Sequence, residues 1–400
     1  MTVTAGSSAG LDPETFEEVL AQVRGFVRRE VVPREREIAD LDAIPDDLRQ
    51  KAAALGLFGY ALPEEYGGLG LNLAQDVELA FHFGYTSLSF RSLFGTNNGI
   101  AGQVLVGYGT PSQKEKWLAQ MAQGDCIASF ALTEPEAGSD PTGMRTRAQR
   151  APDGWIINGT KRFITNAPVA DLFVVFAKVV SDVQDEDGSI AVFLVPAGAP
   201  GLTVGPKDEK MGQQGAKTAD VVLDDVSVDE DALISGSVRT GYRAAMSVLA
   251  RGRVHISALA VGLAERALEE SVRYAAYTKQ GGIPIGDRQL VQAMLAEQQA
   301  LVMAGRAMTR ETACRYVSGE DRKIGPSATK LFCTEMAGRV ADLGVQIHGG
   351  SGYMREYTVE RLYRDARLLR LYEGTSEIQK LIVGRALIAG ERANQSGATQ

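Results

Sequence analysis

The sequence has few cysteines, few histidines and no long apolar run. Its three cysteines, Cys126, Cys314 and Cys333, show no CxxC spacing, which argues against a disulfide scaffold or a zinc cluster and favours a reducing compartment. Its three histidines lie far apart and disfavour a histidine-based metal site or catalytic triad. No stretch approaches the roughly 18 apolar residues of a membrane span, and the N-terminus has no basic and apolar leader. We therefore expect a cytoplasmic protein with no metal and no membrane span.

Common phosphate-binding and nucleophile motifs are also absent or badly placed. Neither GxGxxG nor GxxxxGK[ST] occurs among the 44 glycines, which disfavours a Rossmann dinucleotide site and a P-loop. Residues 6–10 match GxSxG, but no strand precedes them, so we do not expect a catalytic serine there. The net charge of −8 argues against sequence-independent binding of nucleic acid or anionic lipid.

The 400 residues, 44% of them hydrophobic, suffice for two or three domains. After a loose tail over residues 1–10, helical patterns cover about 12–32, 46–55, 73–83 and 110–124. Runs rich in β-branched residues, typical of strands, lie at 155–157, 172–180, 190–195 and 219–223, with a turn at Asn158–Gly159. Helical periodicity returns at about 242–277, 288–317, 326–346, 358–367 and 376–388. The pattern predicts an α+β multidomain fold: a helical domain over 1–125, a β domain over 126–236 and an antiparallel helical bundle over 237–400.

One glutamate stands directly before a predicted helix. Ser376 and Gln379 are spaced as a capping box, and Gly374 permits the bend that places Glu373 ahead of the helix. Such a glutamate is more often a solvated partner of the helix dipole than a base. However, the segments 132–140, 158–166 and 346–353 are loops rich in glycine and hydroxyl residues, which suit close approach to a flat ring or a pyrophosphate. Together these segments indicate one composite site.

At these residues the chain resembles the acyl-CoA dehydrogenase family over nearly its whole length. LTEPEAGSD, NGTKRFITNA, QIHGGSGY and YEGTSEIQ occur in the family's order and spacing. The resemblance implies a helical N-terminal domain, a central β-barrel or β-sandwich domain and a C-terminal four-helix bundle. It also implies a homotetramer that holds FAD between domains and across a subunit interface. The implied activity is oxidation of an acyl-CoA to the trans-2-enoyl-CoA in fatty-acid or related metabolism, with electrons passing to an electron-transferring flavoprotein.

The same resemblance assigns roles to individual residues. Glu373 matches the catalytic base, and Gly252 stands where some relatives place that base instead. Abstraction of a weakly acidic α-proton needs a carboxylate, and FAD is needed to accept the β-hydride. In the family the base's own backbone N–H helps to hold the enolate oxygen. The implied FAD contacts are Leu132, Thr133, Gly138, Ser139, Phe163, Thr165, Gln289, Gln346, Gly350, Thr375 and Glu377, and the implied substrate contacts are Tyr372, Arg253 and Arg91.

One stretch departs from the family pattern. Relatives commonly carry RxxFG after the first long bundle helix, where the arginine and phenylalanine touch the FAD of a neighbouring subunit. Here Thr278 replaces the arginine and Gly281 the phenylalanine, whereas Gln289 downstream is retained. Lys279 could supply a charge but lacks the guanidinium fork. We therefore expect altered or weaker FAD contacts at this stretch.

The arginines do not determine the class of acyl substrate. Arg91 lies in a setting similar to that of an arginine that meets the distal carboxylate in the glutaryl-CoA branch of the family. In the alternative that we favour, Arg91 faces solvent or pairs with an acid such as Glu78, and the pocket accepts monocarboxylic chains. We interpret a second group of arginines as a solvated or salt-bridged helix face rather than as a docking site for the phosphates of coenzyme A; it comprises Arg355, Arg361, Arg364, Arg367 and Arg370. An acyl-CoA oxidase or flavin monooxygenase on the same fold, and a non-catalytic scaffold protein, are alternative functions.

Overall fold

The computed structural model describes residues 9–184 and 186–397. The predicted tail and the GxSxG segment fall largely on residues 1–8, outside this part. Helices lead the chain up to the sheet: α1 (Pro13–Phe26), α2 (Glu35–Leu41), α3 (Asp46–Ala54), α4 (Leu73–Tyr85), α5 (Leu88–Asn98), α6 (Ile100–Tyr108) and α7 (Pro111–Gln123). The mostly helical N-terminal part is therefore confirmed.

The helix caps follow the sequence closely in this part. The Asp12 carboxylate accepts hydrogen bonds from the N–H groups of Glu14 and Thr15, and Pro13 opens α1. Thr110 and Gln113 form the predicted capping box of α7. Pro33 does not stop the first helix outright, because a π-helical turn over Val27–Val31 and a 3₁₀ turn carry the chain into α2.

The central part is one sheet of seven strands. The strands are β1 (Ala128–Ala131), β2 (Arg147–Ala151), β3 (Gly154–Thr165), β4 (Leu172–Val180), β5 (Ile190–Pro196), β6 (Leu202–Val204) and β7 (Thr218–Asp229). β4 pairs with β5 along one side and, along the other side, runs parallel first to β1 and then to β2. Beyond β2 the sheet continues with β3, β7 and β6, in that order. Its buried face forms a core around Trp155 and Phe193.

The predicted turn at Asn158–Gly159 is wrong. β3 runs straight through these residues, and the register against β7 shifts there. The Asn158 amide donates to the Asp225 carboxylate at 2.9 Å and accepts from the Asp225 N–H at 2.8 Å, with Asp225 in the left-handed region at φ 49°. The side chain therefore stabilises a bulge within a long strand instead of a hairpin.

The C-terminal part is a bundle of long helices. They are α8 (Gly241–Tyr277), α9 (Gln289–Ser318), α10 (Ile324–His348), α11 (Thr358–Leu369) and α12 (Ser376–Gly397), and a short hairpin, β8 (Lys279–Gln280) and β9 (Ile283–Pro284), follows α8. The all-buried stretch of α8 packs against α4, α9 and α10. A Cβ added at Gly84 of α4 would lie 2.2 Å from the Leu259 carbonyl oxygen, so glycine permits the close contact of α4 with α8.

The observed order of helices, sheet and helices confirms the predicted fold class. The division at 125/126 and 236/237 stays a prediction. No helix in the described ranges combines the length and the apolar character needed to cross a membrane.

Candidate active site

Glu373 sits on a strained turn that leads into α12. Its backbone is left-handed, with φ 53°, and Gly374 follows with φ 94°; for a residue other than glycine the left-handed region costs about 1 kcal/mol. Side chains hold the two carbonyl groups of this turn. The Gln379 amide donates to the carbonyls of Glu373 and Gly374 at 3.2 and 2.9 Å, and Lys330 Nζ donates to that of Gly374 at 2.7 Å. The turn is thus fixed by the residues around it.

The predicted capping box at this helix is wrong. Thr375 is the residue before α12, and its hydroxyl accepts from the Ile378 N–H at 3.4 Å. The Ser376 hydroxyl instead donates to Glu335 at 2.6 Å. Gln379 reaches back to the Glu373 turn rather than to a cap. The spacing of Ser376 and Gln379 predicted the start of the helix within one residue. Their side chains, however, bond to Glu335 and to the turn that carries Glu373.

The Glu373 carboxylate occupies the space left by a missing side chain on α8. A Cβ added at Gly252 would lie 2.1 Å from Glu373 Oε2 and 3.0 Å from its Cδ. Oε2 is buried and has no hydrogen-bond partner among the described residues. In the same part of the chain, no group accepts the Glu373 N–H. The structure therefore leaves a bare carboxylate oxygen and a free backbone donor at one point.

Charge and burial act on Glu373 in opposite directions. Burial raises the pKa of the carboxyl group, and the positive charges of Arg91, Lys330, Arg253 and Arg251 partly offset this rise. Burial also lowers the pKa of Lys330 to about 8 against the attraction of Glu373. Arg253 Nε donates to the Glu373 carbonyl at 3.4 Å. The pKa of Glu373 is therefore raised above the ordinary value of a glutamate. A raised pKa brings a carboxyl group closer to the neutral pH at which a general base works.

A cavity of about 670 Å³ lies against the part of α8 on either side of Gly252. Arg251 and Arg253, on either side of Gly252, form part of its wall. The rest of the wall is largely apolar and comes from α6, α8, α9 and the segment before α4; it includes Leu71, Val106, Met246, Val248 and Tyr316. A pocket of this size and lining suits an acyl chain.

Arg91 is half-buried, and Glu78 is not its partner. Arg91 Nε donates to His255 Nε2 at 2.9 Å, and His255 Nδ1 lies 2.8 Å from Asp76 Oδ1. Glu78 instead pairs with Arg310. Asp76 also lies 2.8 Å from Arg251 Nη2. Sequence reasoning missed this network, since its members on α4, α5 and α8 show no shared spacing.

The first set of predicted FAD residues surrounds the edge of the sheet near β1 and β3. The Arg162 N–H donates to the Thr133 carbonyl at 2.8 Å, and the Ser129 hydroxyl donates to that of Thr165 at 2.7 Å. Phe163 is left-handed, with φ 57°, and 59% exposed. Leu132 is buried, whereas Gly138 and Ser139 are exposed.

These residues fit a flavin. A Cβ at Gly138 would meet nothing within 4 Å, so backbone N–H groups there are open to a pyrophosphate. An exposed aromatic ring beside threonine hydroxyls suits a flat heterocycle. Thr375 and Glu377 flank the Glu373 turn, which belongs to the bundle. FAD bound here would lie against residues of both the sheet and the bundle.

A buried ion pair fixes the loop that carries these residues. Lys161 Nζ lies 2.7 Å from Glu134 Oε1, with both side chains buried, and also donates to the Leu132 carbonyl at 3.3 Å. Glu134 accepts in addition from the N–H groups of Arg145 and Thr146. Burial lowers the pKa of Lys161 to about 8. Both residues lie in motifs noted in the sequence, but nothing in their spacing shows that they meet.

The second set of predicted FAD residues lies at the other end of the bundle. Gln289 opens α9, Gln346 lies in the last turn of α10, and Gly350 follows it; all three are exposed. Lys330, which contacts the Glu373 turn, is about 24 Å from Gln346 along α10 at the usual helical rise. Thr278 and Gly281 lie at the hairpin beside this second set. Within one chain, the second set therefore lies far along α10 from the Glu373 turn and from Thr375 and Glu377, which flank it.

The remaining arginine group is mostly paired. Arg361 lies 2.8 Å from Glu35 and 3.2 Å from Asp365, and Arg364 pairs with Glu360. Arg370 approaches Glu335 at 3.2 Å and Arg355 approaches Asp40 at 3.8 Å. For these four arginines the salt-bridged interpretation is confirmed.

Known proteins match this chain in three consecutive parts, which correspond to the helices, the sheet and the bundle. Residues 13–125, 129–226 and 239–388 match the family models for the acyl-CoA dehydrogenase N-terminal, middle and C-terminal domains. A probable acyl-CoA dehydrogenase of Bacillus subtilis is 38% identical over 92% of this chain and 97% of its own length. The butyryl-CoA dehydrogenase structure from Megasphaera elsdenii has a TM-score of 0.89 at 30% identity, covering 95% of this chain and 99% of that one. A glutaryl-CoA dehydrogenase from Mycobacterium smegmatis in complex with FADH2 has a TM-score of 0.87 at 31% identity, covering 94% and 95%.

Proposed function

Since the chain belongs to the acyl-CoA dehydrogenase family and is an FAD-dependent oxidoreductase, we propose that Glu373 is the base that converts its acyl-CoA to the trans-2-enoyl-CoA. The observation that carries the proposal is the buried, unpartnered Oε2, which lies over Gly252 between the cavity-wall residues Arg251 and Arg253. The α-proton of the thioester passes to this oxygen. FAD, when bound, supplies the acceptor for the hydride that leaves the β-carbon.

The backbone of the same residue serves the developing negative charge. The Glu373 N–H has no acceptor in the described part of the chain, so it is open to the thioester oxygen. A donor that is held in place costs no reorganisation when the enolate forms. The Gln379, Lys330 and Arg253 hydrogen bonds hold the two peptide groups that follow this N–H. Tyr372 and Arg253 would line the path of the substrate toward the turn.

We propose a monocarboxylic acyl chain as the substrate, in fatty-acid or related metabolism. The cavity wall is mainly apolar, and Arg91 and Arg251 already have partners in the network that ends on Asp76. A distal carboxylate would have to compete with these contacts. A glutaryl-type substrate that pairs with Arg91 is the alternative.

The test is anaerobic reduction of the bound flavin by a panel of butyryl-, octanoyl-, isobutyryl-, isovaleryl- and glutaryl-CoA. We expect bleaching by at least one monocarboxylic thioester and formation of its 2-enoyl product. A preference for glutaryl-CoA that Arg91→Ala abolishes would overturn the substrate proposal. A concentrated protein that is colourless, and whose spectrum and melting temperature do not respond to FAD, would overturn the function itself and favour the scaffold alternative.

The electron acceptor follows from the second half of the reaction. We propose an electron-transferring flavoprotein as the acceptor, so the reduced protein should reoxidise slowly in air and quickly with that partner. Fast reoxidation by oxygen would indicate the oxidase or monooxygenase alternative.

We also propose that the FAD site spans two copies of the chain, in a homotetramer. The separation of the two sets of predicted FAD residues along α10 supports this arrangement. The three cysteines are unpaired, which suits a reducing compartment, and we propose the cytoplasm.

A further inference from the structure

A buried histidine without a place in the proposed chemistry lies one turn from the catalytic carboxylate. His255 is three residues after Gly252 on α8, so both face the same side of the helix. The Glu373 carboxylate fills the space at Gly252. His255 is 3% exposed and Asp76 is fully buried. Burying an Asp–His pair near the proposed base is costly unless the pair has a structural or functional role.

The hydrogen bonds fix the protonation of this histidine. Arg91 Nε can only donate, so His255 Nε2, at 2.9 Å, must accept. The ring proton therefore sits on Nδ1 and is donated to Asp76 Oδ1 at 2.8 Å. A protonated ring would turn an N–H toward the Arg91 N–H and break the contact. Burial, which lowers the pKa of His255 against the attraction of Asp76, acts in the same direction.

We propose that Asp76 and His255 are positioning residues that hold the Arg91 guanidinium one helical turn along α8 from Gly252, against which the Glu373 carboxylate lies. Asp76 sets the tautomer of His255, and His255 presents Nε2 to Arg91. Arg91 in turn places its positive charge where it favours the ionised form of the base. The inference rests on the role of Glu373 proposed above.

The other charges around this network are accounted for. Glu373 is faced by Arg91 from α5, Arg251 and Arg253 from α8 and Lys330 from α10. After burial, which raises the pKa of Glu373, Arg91 has the largest effect and lowers it. His255 is faced by Asp76, Arg91 and Arg251. Tyr60 lies beside Asp76 and Tyr372 lies near Arg91. Loss of the Arg91 contact should therefore raise the pKa of Glu373, so that the base ionises only at higher pH.

A first measurement reads the tautomer without any substrate. The chain has only three histidines, so solid-state ¹⁵N NMR of histidine-labelled holoenzyme, with His255→Gln for assignment, isolates the His255 signals. We expect the neutral Nδ1–H form from about pH 5 to pH 8, where an ordinary histidine titrates. An Nε2–H form, or a cationic ring within this range, would overturn the inference whatever the enzyme's activity.

A second measurement follows the rate of flavin reduction by butyryl-CoA against pH. His255→Leu and Arg91→Met should each move the acid limb upward by about one pH unit, with about a tenfold slower reduction at its foot and recovery at high pH. His255→Gln, whose amide can accept from Arg91 and donate to Asp76, should stay near the wild type. The double variant should behave as Arg91→Met alone, because both changes remove the same contact.

Controls separate this inference from the proposed function. Arg310→Met removes an exposed arginine of the Glu78 pair and should leave the acid limb in place. If His255→Leu loses its flavin or melts early, His255→Gln and Arg91→Met carry the test. An unmoved acid limb in variants that retain flavin would contradict the positioning role while leaving Glu373 as the base.

Discussion

At the scale of the residue, the site depends on one missing side chain. The Glu373 carboxylate lies where α8 carries Gly252, and any Cβ there would come within 2.1 Å of Oε2. The atom in the way is the end of a flexible side chain, so it can move aside at little cost to the fold. Moving the carboxylate by about 1 Å nevertheless costs a base on the order of a hundredfold in rate.

We therefore expect Gly252→Ala to separate stability from activity. Alanine in the middle of a helix is favoured over glycine by about 1 kcal/mol, so the melting temperature should hold or rise. Flavin should remain bound, whereas reduction by acyl-CoA should slow by about two orders of magnitude. The melting curve, the visible spectrum and anaerobic stopped-flow mixing measure the three quantities.

Gly384→Ala is the matched control. It is another glycine within a helix, on α12, and a Cβ there would meet nothing within 4 Å. It should leave the rate unchanged. A Gly252→Ala variant as fast as this control would show that the carboxylate does not depend on the space at Gly252.

Sequence could predict the base but not its surroundings. Glu373 lies in a contiguous motif before a helix, which a linear pattern can show. Asp76, Arg91 and His255 meet only because α4, α5 and α8 pack together, since Arg91 and His255 are 164 positions apart in the sequence. Glu78, which the sequence suggested as the partner of Arg91, forms an exposed ion pair with Arg310 instead.

At the scale of the element, periodicity located the long helices and most strands. It missed α5 because this helix is buried on nearly every side, and it missed α6 because this helix carries no charged residue to mark an outer face, so no amphipathic stripe marks either. It misplaced a turn at Asn158–Gly159 because the same dipeptide forms a bulge when Asp225 supplies the partner. The dipeptide does mark an irregular backbone there, but the strand with which it pairs decides whether a turn or a bulge forms.

The Lys161–Glu134 ion pair is the element-scale feature most open to test. Lys161→Met leaves Glu134 buried without its cation, and breaking a buried pair from one side costs about 3–5 kcal/mol. We expect a loss of this size in the free energy of unfolding by denaturant, together with reduced flavin content, because Glu134 also anchors the loop at Arg145 and Thr146.

The control for this change is the exposed pair Arg150–Glu230 on the same sheet. Arg150→Gln should cost less than about 1 kcal/mol, as exposed pairs do. Equal costs for the two variants would mean that the buried pair does not hold the loop.

At the scale of the whole molecule, the two sets of predicted FAD residues decide how the protein assembles. Ser139 belongs to the first set, and Gly350 belongs to the second set, beyond the end of α10. If one FAD uses Ser139 of one chain and Gly350 of another, each chain contributes halves of two different sites.

Complementation tests this arrangement. Ser139→Glu and Gly350→Glu each place a carboxylate at an exposed position meant for an anionic cofactor, so each variant alone should lack flavin. Co-expressed chains that pair at random should recover roughly a quarter of the wild-type flavin, since half of the pairs are mixed and each mixed pair has one intact site. Flavin content per chain of the whole co-expressed pool, purified through a tag that both chains share, gives the answer. No recovery would place both residues in a site within one chain.

The central claim is that Glu373 takes the α-proton, and anaerobic stopped-flow mixing of Glu373→Gln with acyl-CoA tests it most directly. The amide keeps the shape of the side chain but cannot accept the proton, so flavin should stay bound while its bleaching slows by about three orders of magnitude or more at every pH. In the wild type, the acid limb of the same rate should lie above the ordinary pKa of a glutamate, because burial raises the pKa of Glu373. Glu356→Gln, an exposed glutamate, should behave as the wild type. Retention of more than about a tenth of the wild-type rate by Glu373→Gln would show that another group is the base.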